Sequence, residues 1–484
     1  MRALMLGWEF PPHISGGLGT ACKGLVEGLG HHGVETLFVM PRAIGGDTGA
    51  RTRVMGCNQV EVEVPCHDET ATTTVPRADS VCYLPMDTPL TPYLTPASYR
   101  SELARSNRDL VGDCVPLPYF AGEWREAMHA LADSCRDVPL RTRLAFAGGY
   151  GPDLYAEVLR YARVVCEIAR REEFDLVHAH DWMTFPAAVA AARLARKPLI
   201  VHVHATEYDR SGEQVNERVR QIEQFGLEAA HRIVCVSHFT ARLLKTRYSV
   251  EEAKLRVVHN AVSSAADSSE PKPQPRETTT AEAELPLVPK RPLVLFLGRI
   301  TFQKGPDYFL AAARRVIETR PDVQFVMAGN GDMLPAMIEE SARLGLERHV
   351  HFTGFLRGAD VHRMYRQADL YVMPSVSEPF GIAPLEALQQ EVPVIVSRQS
   401  GVSETLRHAL KVDFWDVDEL ANKILATLSY PILRETLGRD GSREASQMRW
   451  EDRGAVLRTV YEELHAEQFG AASIPSASNK EAVR

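Results

Sequence analysis

The chain has 484 residues, of which 45% are hydrophobic and 24% charged, and its formal net charge is −8. One hydrophobic core rarely extends over such a length, so two or three domains are expected. The acidic balance excludes a general binder of nucleic-acid backbones, although it leaves room for one basic pocket that holds a small anion.

The cysteines and the apolar runs predict the compartment. There are eight cysteines, all in the first half of the chain, and none forms Cys-x-x-Cys, so we expect reduced and mostly structural thiols. The apolar start at residues 3–6 is too short for a signal peptide. No apolar run approaches the roughly 20 residues that span a bilayer. We therefore expect a cytoplasmic protein without a membrane span.

The N-terminus has a β–loop–α–β pattern. Predicted strands at residues 3–6 and 34–40 flank a helix that begins near Leu18, and the loop before it carries Gly16 and Gly17. Glycines at such a junction let the backbone approach a phosphate, although tight turns use them as well. This loop does not match Gly-x-Gly-x-x-Gly, so a dinucleotide fingerprint is not supported.

The rest of the chain predicts two doubly wound parallel sheets. Residues 60–145 are irregular and are predicted to be an insertion, whose aromatic side chains either stack on acceptor sugars or pack in the protein. Strands and helices alternate over residues 153–259 and again from residue 293. Between these blocks, Ser, Pro, Thr and Glu dominate, which is typical of a mobile linker.

These patterns predict an α/β protein of two Rossmann-like domains that face a deep cleft, where ligands bind beyond the carboxyl ends of the strands. The predicted units are a first domain at 1–262, a linker at 263–290, a second domain at 291–469 and a disordered tail at 470–484.

A basic loop follows the first predicted strand of the second domain. Gly298, Arg299 and Lys304 lie between that strand and a helix. Arg299 can hold phosphate oxygens in a bidentate manner, and Lys304 adds a point charge. Such cations could neutralise a departing diphosphate. A solvated basic loop is the alternative interpretation.

A second loop carries two carboxylates. Glu378 follows a predicted strand at 370–373, and Glu386 lies about one turn into a helix that tolerates Pro384 only in its first turn. Amides at the start of a helix have no partner within it and suit phosphate, while carboxylates suit hydroxyls. The amides concerned belong to Phe380, Gly381 and Ile382. A capped helix with two solvated carboxylates is the alternative.

Two His-x-His pairs end adjacent strands of the first domain. They are His178 with His180, which Asp181 follows, and His202 with His204. Such pairs occur in zinc hydrolases, so a metal site is one alternative. We expect alternation along each strand to leave only one histidine of a pair on a given face, which argues against a metal. Histidines satisfied within the protein are a further alternative for His178 and His202.

Together, these motifs resemble retaining glycosyltransferases of the glycogen and starch synthase type, which have the GT-B fold and are related to glycosyltransferase families 4 and 5. Glu378 and Glu386 match the spacing of the family's Glu-Pro-Phe-Gly signature. Arg299 and Lys304 match the cations that hold the nucleotide diphosphate.

The first domain carries the other matches. Gly16, Gly17 and Leu18 fit the family's Lys-x-Gly-Gly-Leu, but Ile14 stands at the lysine position, which leaves the nucleotide preference open. The His-Ala-His-Asp-Trp pattern, followed by Val-His, identifies Asp181 and His204 with family positions. The run at 204–212 is most similar to bacterial glycogen synthase-like members.

The resemblance implies glucose transfer from ADP-glucose or UDP-glucose to an α-1,4-glucan such as glycogen, with retained configuration and without metal or cofactor. It implies roles for Glu378 near the donor sugar, for Glu386 at the ribose and for Asp181 and His204 at the sugar. Another hexose or acceptor, a zinc hydrolase and a non-catalytic nucleotide-sugar binder are the alternatives. Nucleic-acid and membrane partners are not expected.

Overall fold

The computed structural model describes residues 1–11, 16–43, 51–64, 121–134, 140–143, 154–263 and 291–470. Ile14, most of the predicted insertion, residues 264–290 of the predicted linker and the predicted tail from 471 onward lie outside these residues.

Short apolar runs form the strands, as buried strands of parallel sheets require. The strands are β1 (Arg2–Leu6), β2 (Glu35–Met40), β3 (Thr52–Gly56), β4 (Glu61–Val64), β5 (Leu140–Arg143), β6 (Leu176–His180), β7 (Leu199–Val203), β8 (Arg232–Cys235), β9 (Leu255–Val257), β10 (Leu293–Leu297), β11 (Gln324–Ala328), β12 (Val350–Gly354), β13 (Leu370–Met373), β14 (Val394–Ser397) and β15 (Leu410–Val412).

The helices cover the sheets. They are α1 (Gly17–His31), α2 (Ala121–Ser134), α3 (Leu154–Arg171), α4 (Phe185–Ala195), α5 (Glu207–Ser211), α6 (Glu217–Ala229), α7 (His238–Arg247), α8 (Pro306–Thr319), α9 (Leu334–Arg343), α10 (Ala359–Gln367), α11 (Ala383–Gln389), α12 (Val402–Thr405), α13 (Val417–Ser429), α14 (Pro431–Ser446) and α15 (Trp450–Gly470).

Two parallel sheets organise the described residues, which confirms the predicted fold class. The first sheet has seven strands in the order β3-β2-β1-β6-β7-β8-β9, and the second has six in the order β12-β11-β10-β13-β14-β15. All pairs within these two sheets are parallel. Strands β4 and β5 pair separately and antiparallel.

The last helix packs against the first. In α15, Trp450 and Gly454 lie against Gly24 and Gly28 of α1, where a Cβ on Gly28 would come within 2.2 Å of the Trp450 carbonyl oxygen. Trp450 therefore belongs to the same buried cluster as the start of the chain. Glycine at these positions is what allows the two helices to approach so closely.

The helices and the cysteines of the described residues bear on the predicted membrane span and thiol state. Across the described ranges, no helix has both the length and the apolar character needed to cross a bilayer. Four cysteines in those ranges, Cys22, Cys57, Cys166 and Cys235, are buried and free of disulfide bonds.

Candidate active site

The carboxyl ends of the two sheets meet across a contact between loops. The Ser377 hydroxyl, after β13, donates to Asp209 Oδ1 over 2.5 Å. The Ser237 hydroxyl, after β8, donates to the Pro379 carbonyl over 2.6 Å. We call the first sheet with its helices the first half and the second sheet with its helices the second half. The loop between these two bonds carries Glu378, so that carboxylate lies where the two halves touch.

Glu378 is buried and paired with a cation. Its Oε2 accepts hydrogen bonds from Lys304 Nζ and, over 3.3 Å, from the Ser375 hydroxyl. Its amide donates to the Gln399 carbonyl and its carbonyl accepts from the Gly401 amide, each over 2.9 Å. The solvated-carboxylate alternative is therefore wrong for Glu378, because the backbone and the side chain are both fixed.

The lysine loop is shaped by one left-handed glycine. A 3₁₀ turn at Phe302–Lys304 is followed by Gly305 with φ 63°. A Cβ on Gly305 would lie 2.2 Å from the Pro374 carbonyl oxygen. Glycine thus allows the lysine loop to lie directly against the loop of Glu378 before α8 begins.

Arg299 lies at the adjacent strand end and is exposed. Gly298 precedes it, and a Cβ on Gly329 would come within 1.8 Å of the Gly298 carbonyl oxygen, so the two strand ends are in close contact. Burial raises the pKa of Asp332, and the charge of Arg299 opposes that rise. The structure therefore brings Lys304 to Glu378 and places Arg299 in the field of Asp332.

The segment after Glu378 starts α11. Phe380 is buried, and Gly381 adopts φ 100° beside the Met373 side chain. Ile382 packs against buried clusters of both halves, and Pro384 lies in the first turn of the helix, as predicted. Within the described residues, the amides of Phe380, Gly381 and Ile382 donate no hydrogen bond to the protein.

Glu386 projects from α11 into a shielded position. Its Oε2 accepts a hydrogen bond from the Tyr365 hydroxyl over 3.0 Å. Burial raises the pKa of Glu386, while that hydrogen bond opposes the rise. A freely solvated carboxylate is thus wrong here as well.

The four strand-end histidines form one stack. The ring centroids of His178 and His180 are 4.6 Å apart, and those of His202 and His204 are 4.3 Å apart. The expectation that each pair would divide between two faces is wrong. Alternation along a strand has a period of two, so residues i and i+2 share a face.

A metal site requires donor atoms that are close together and that also point at one ion. Among the described residues, two sets of three side chains have ligand atoms, one from each residue, that all lie within 4.8 Å of one another. They are Cys22, His180 and His204, and His178, His180 and His202. Imidazole lone pairs lie in the ring planes, and the rings of His178 and His202 are only 9° from parallel. One ion therefore cannot lie in the planes of both rings, which argues against zinc held by the second of these sets.

Burial keeps the stack neutral. It lowers the pKa of His178 and of His204 to about 3, and it lowers those of His180 and His202 well below the ordinary value. His180 Nδ1 lies 2.9 Å from His204 Nε2, so one of these nitrogens carries the shared proton. His178 Nδ1 lies 2.5 Å from the Tyr461 hydroxyl on α15, which orients the ring.

Asp181 holds the backbone that carries His204. It has φ 57°, and its Oδ1 accepts hydrogen bonds from the amides of His204 over 2.7 Å and Ala205 over 3.3 Å. Burial raises the pKa of Asp181 to about 6, against the opposing effects of Arg210 and the two amides. The carboxylate therefore fixes the position of the neutral, half-buried His204.

The glycine loop reveals an acidic residue that the motif search missed. Gly16 caps α1, and a Cβ there would come within 2.8 Å of Glu9 Oε2. Glu9 is buried, and burial together with the charges of Asp181 and Glu9 raises the pKa of the Cys22 thiol. A carboxylate directly after the first strand is the sequence signal that could have identified Glu9.

A buried ionic network joins α5 to α6. Arg210 pairs with Glu223 over 3.1 Å and with Glu207 over 3.4 Å, and it donates to the Ala205 carbonyl over 2.8 Å. Burial raises the pKa of Glu223 to about 7, with Arg210 opposing. Glu207 and Arg210 are neighbours on α5, but Glu223 lies on α6 and reaches them only through the fold, so sequence reasoning missed the network.

Two family models match the chain. The model of glycosyl transferases group 1 matches residues 277–444, and the model of glycosyltransferase family 4 matches residues 128–266. The two matches fall on the second and the first sheet, respectively.

Similar proteins include several kinds of transferase. An uncharacterized glycosyltransferase of Methanocaldococcus jannaschii, MJ1607, is 25% identical, over 84% of this chain and 83% of its own. A glycogen synthase of Mycobacterium tuberculosis is also 25% identical, over 59% of this chain and 68% of its own. A D-inositol 3-phosphate glycosyltransferase of Kribbella flavida is 26% identical, over 76% and 91%.

Solved structures share the fold. Sucrose-phosphate synthase from Thermosynechococcus elongatus has a TM-score of 0.63 and 17% identity, over 96% of this chain and 99% of its own. Anabaena HepE with UDP-glucose has a TM-score of 0.56 and 16% identity, over 96% and 100%. The catalytic domain of Arabidopsis thaliana starch synthase IV, bound to ADP and acarbose, has a TM-score of 0.56 and 15% identity, over 97% of this chain and 99% of its own.

Proposed function

Because the chain is a glycosyltransferase of the GT-B fold, we propose that it moves glucose from ADP-glucose or UDP-glucose to an α-1,4-glucan such as glycogen, retaining the α-configuration. The observation that supports this most is the pairing of Lys304 with Glu378 at the contact between the two halves. A cation for the leaving phosphate and a carboxylate for the sugar are thereby adjacent. The similarity to a glycogen synthase, to HepE in complex with UDP-glucose and to starch synthase IV bound to ADP and acarbose supports the choice of substrate.

In the proposed reaction, the bond between the anomeric carbon and the diphosphate breaks first. Its electron pair goes to the phosphate oxygen, where Lys304 and Arg299 stabilise the charge. Glu378 stabilises the positive charge that develops on the sugar. The acceptor hydroxyl attacks on the face that the diphosphate leaves and gives its proton to the departing phosphate, so the configuration is retained.

The first sheet with its helices supplies the acceptor side, and the second sheet with its helices supplies the donor side. His204 is neutral because burial lowers its pKa to about 3, so it can exchange a hydrogen bond with a sugar hydroxyl without adding charge. Glu386 binds the ribose hydroxyls. The amides of Phe380, Gly381 and Ile382, which donate to no other described residue, bind the diphosphate.

A second candidate is transfer to a small phosphorylated polyol. It is favoured by the match to a D-inositol 3-phosphate glycosyltransferase, which covers 91% of that relative, against 68% for the glycogen synthase. The retention chemistry and the roles of Lys304 and Glu378 would be unchanged. Only the groups that contact the acceptor would differ.

The test is a transfer assay with glucose-labelled ADP-glucose and UDP-glucose, each offered glycogen, a maltooligosaccharide or inositol 3-phosphate. We expect label in the glucan with at least one donor. A Lys304→Ala variant is the matched control and should lose about 10²-fold or more in turnover. Label that enters only inositol phosphate would establish the second candidate, and no transfer to any acceptor would overturn the first.

A further inference from the structure

We propose that Asp209 and Ser237, on the first half of the chain, are positioning residues for Glu378 on the second half. They act through its two neighbours, Ser377 and Pro379. The inference rests on the proposed function, because it takes Glu378 as the carboxylate beside the donor sugar. Neither residue is expected to touch the substrates.

Asp209 is held rigidly before it meets Ser377. It is fully buried, and its Oδ2 accepts hydrogen bonds from the amide and the hydroxyl of Thr206, each over 2.8 Å. The bond from the Thr206 amide, together with the one that the Asp209 amide donates to the Thr206 hydroxyl oxygen, forms the capping box of α5. Its other oxygen, Oδ1, accepts from the Ser377 hydroxyl over 2.5 Å. The carboxylate therefore presents a fixed acceptor to the opposite half.

Ser237 is held in the same way on a second helix. As the N-cap of α7, its hydroxyl oxygen accepts from the Thr240 amide over 3.0 Å while donating to the Pro379 carbonyl over 2.6 Å. The halves also fit tightly here, since a Cβ on Gly401 would come within 2.5 Å of the Ser237 Cβ. Capping one helix fixes the hydroxyl that contacts Pro379.

These contacts flank the residue that matters. The backbone of Glu378 is held by its own half, through Gln399 and Gly401. The residues on either side of it are held by the other half. Closure of the two halves and the orientation of Glu378 are therefore coupled, as expected of a site completed by domain closure. A neutral hydrogen bond of about 0.5–1.5 kcal/mol changes such an equilibrium by about twofold to tenfold, and one to a carboxylate by about tenfold or more.

The test starts from Ser377→Ala, which removes the contact across the halves and leaves the cap of α5 intact. Ser446→Ala is the matched control, because that hydroxyl donates within its own half, to the Arg443 carbonyl over 2.8 Å. We expect kcat to fall about tenfold or more in Ser377→Ala and about twofold to tenfold in Ser237→Ala, with the donor KM within twofold. Ser377→Thr should restore kcat.

Hydrogen exchange of residues 375–382 with bound ADP or UDP provides a readout that needs no turnover. It should be faster in Ser377→Ala than in wild type or Ser446→Ala, with melting temperatures alike. Combining Ser377→Ala with Asp209→Asn should add little to Asp209→Asn alone. Unchanged kcat and unchanged exchange would overturn the inference. If wild type transfers no glucose, the proposed function fails, and the exchange comparison alone decides the inference.

Discussion

Replacing Glu378 by Gln removes one charge and keeps the shape of the side chain. The carboxylate is 8% exposed and its partner Lys304 is 23% exposed. A hydrogen bond to a charged group contributes about 1.5–3 kcal/mol, against about 0.5–1.5 for a neutral one, so the change should cost about 1–2 kcal/mol of unfolding free energy. The partial exposure of Lys304 keeps this below the roughly 3–5 kcal/mol of a fully buried pair.

The catalytic effect should be larger than the structural one. If Glu378 stabilises charge that exists only in the transition state, kcat and kcat/KM should fall together by about 10²–10³-fold. Steady-state kinetics against ADP-glucose or UDP-glucose, together with urea unfolding of the same preparation, separate the two effects. A loss of activity that follows only the unfolded fraction would refute the reasoning.

Glu386→Gln is the matched control for this experiment. Its carboxylate accepts from Tyr365, and burial raises its pKa, so the neutral amide should be tolerated. Because ribose hydroxyls change little during the reaction, the donor KM should rise while kcat holds. If Glu378→Gln raises KM alone and Glu386→Gln abolishes kcat, the two roles are reversed.

Three further predictions concern metal, pH and packing. Excess EDTA should leave the transfer rate unchanged if Lys304 and Arg299 serve the diphosphate as proposed; a loss that zinc or magnesium restores would contradict this. Since burial raises the pKa of Glu223 to about 7 from 4.5, the folded state binds that proton more tightly, and the unfolding free energy falls as pH rises from about 4.5 to about 7. Urea unfolding should show that Glu223→Gln removes much of this fall, at most roughly 3 kcal/mol, whereas an equal pH slope would count against it. Gly28→Ala should lower the unfolding free energy by about 1–3 kcal/mol, because its Cβ would lie 2.2 Å from the Trp450 carbonyl oxygen. Gly30→Ala is the control and should not lower it, because nothing lies within 4 Å of its Cβ. Equal melting curves for the two variants would disprove the packing argument.

The strands and the helix starts were predictable because the information is local. Buried runs such as β7 and β13 are mostly apolar and continuous, and an N-cap residue such as Ser237 indicates where the next helix begins. Helix α13 has a clear helical pattern and could have been found. Helix α14 is harder to recognise, because Gly438 stands where a helix former would be expected; a Cβ there would come within 2.2 Å of the Glu391 carbonyl oxygen.

The site was predictable where a residue follows a strand, and unpredictable where a contact joins distant segments. Glu378 and Lys304 are 74 residues apart, yet both follow strand ends of one sheet, which brings them together. Asp209 and Ser377 are 168 residues apart and lie in different halves, so no periodicity relates them. The error over His178 and His180 was one of geometry, since strand alternation already places them on one face.

Proton NMR of the first product formed from maltoheptaose tests the central claim most directly. With ADP-glucose or UDP-glucose as donor, early time points should show a new α-1,4 anomeric signal growing with release of the nucleoside diphosphate, and the Lys304→Ala variant should show about 10²-fold less. A β-anomeric product would contradict retention. Release of the nucleoside diphosphate with free glucose alone, and no extended glucan, would contradict transfer to an α-1,4-glucan.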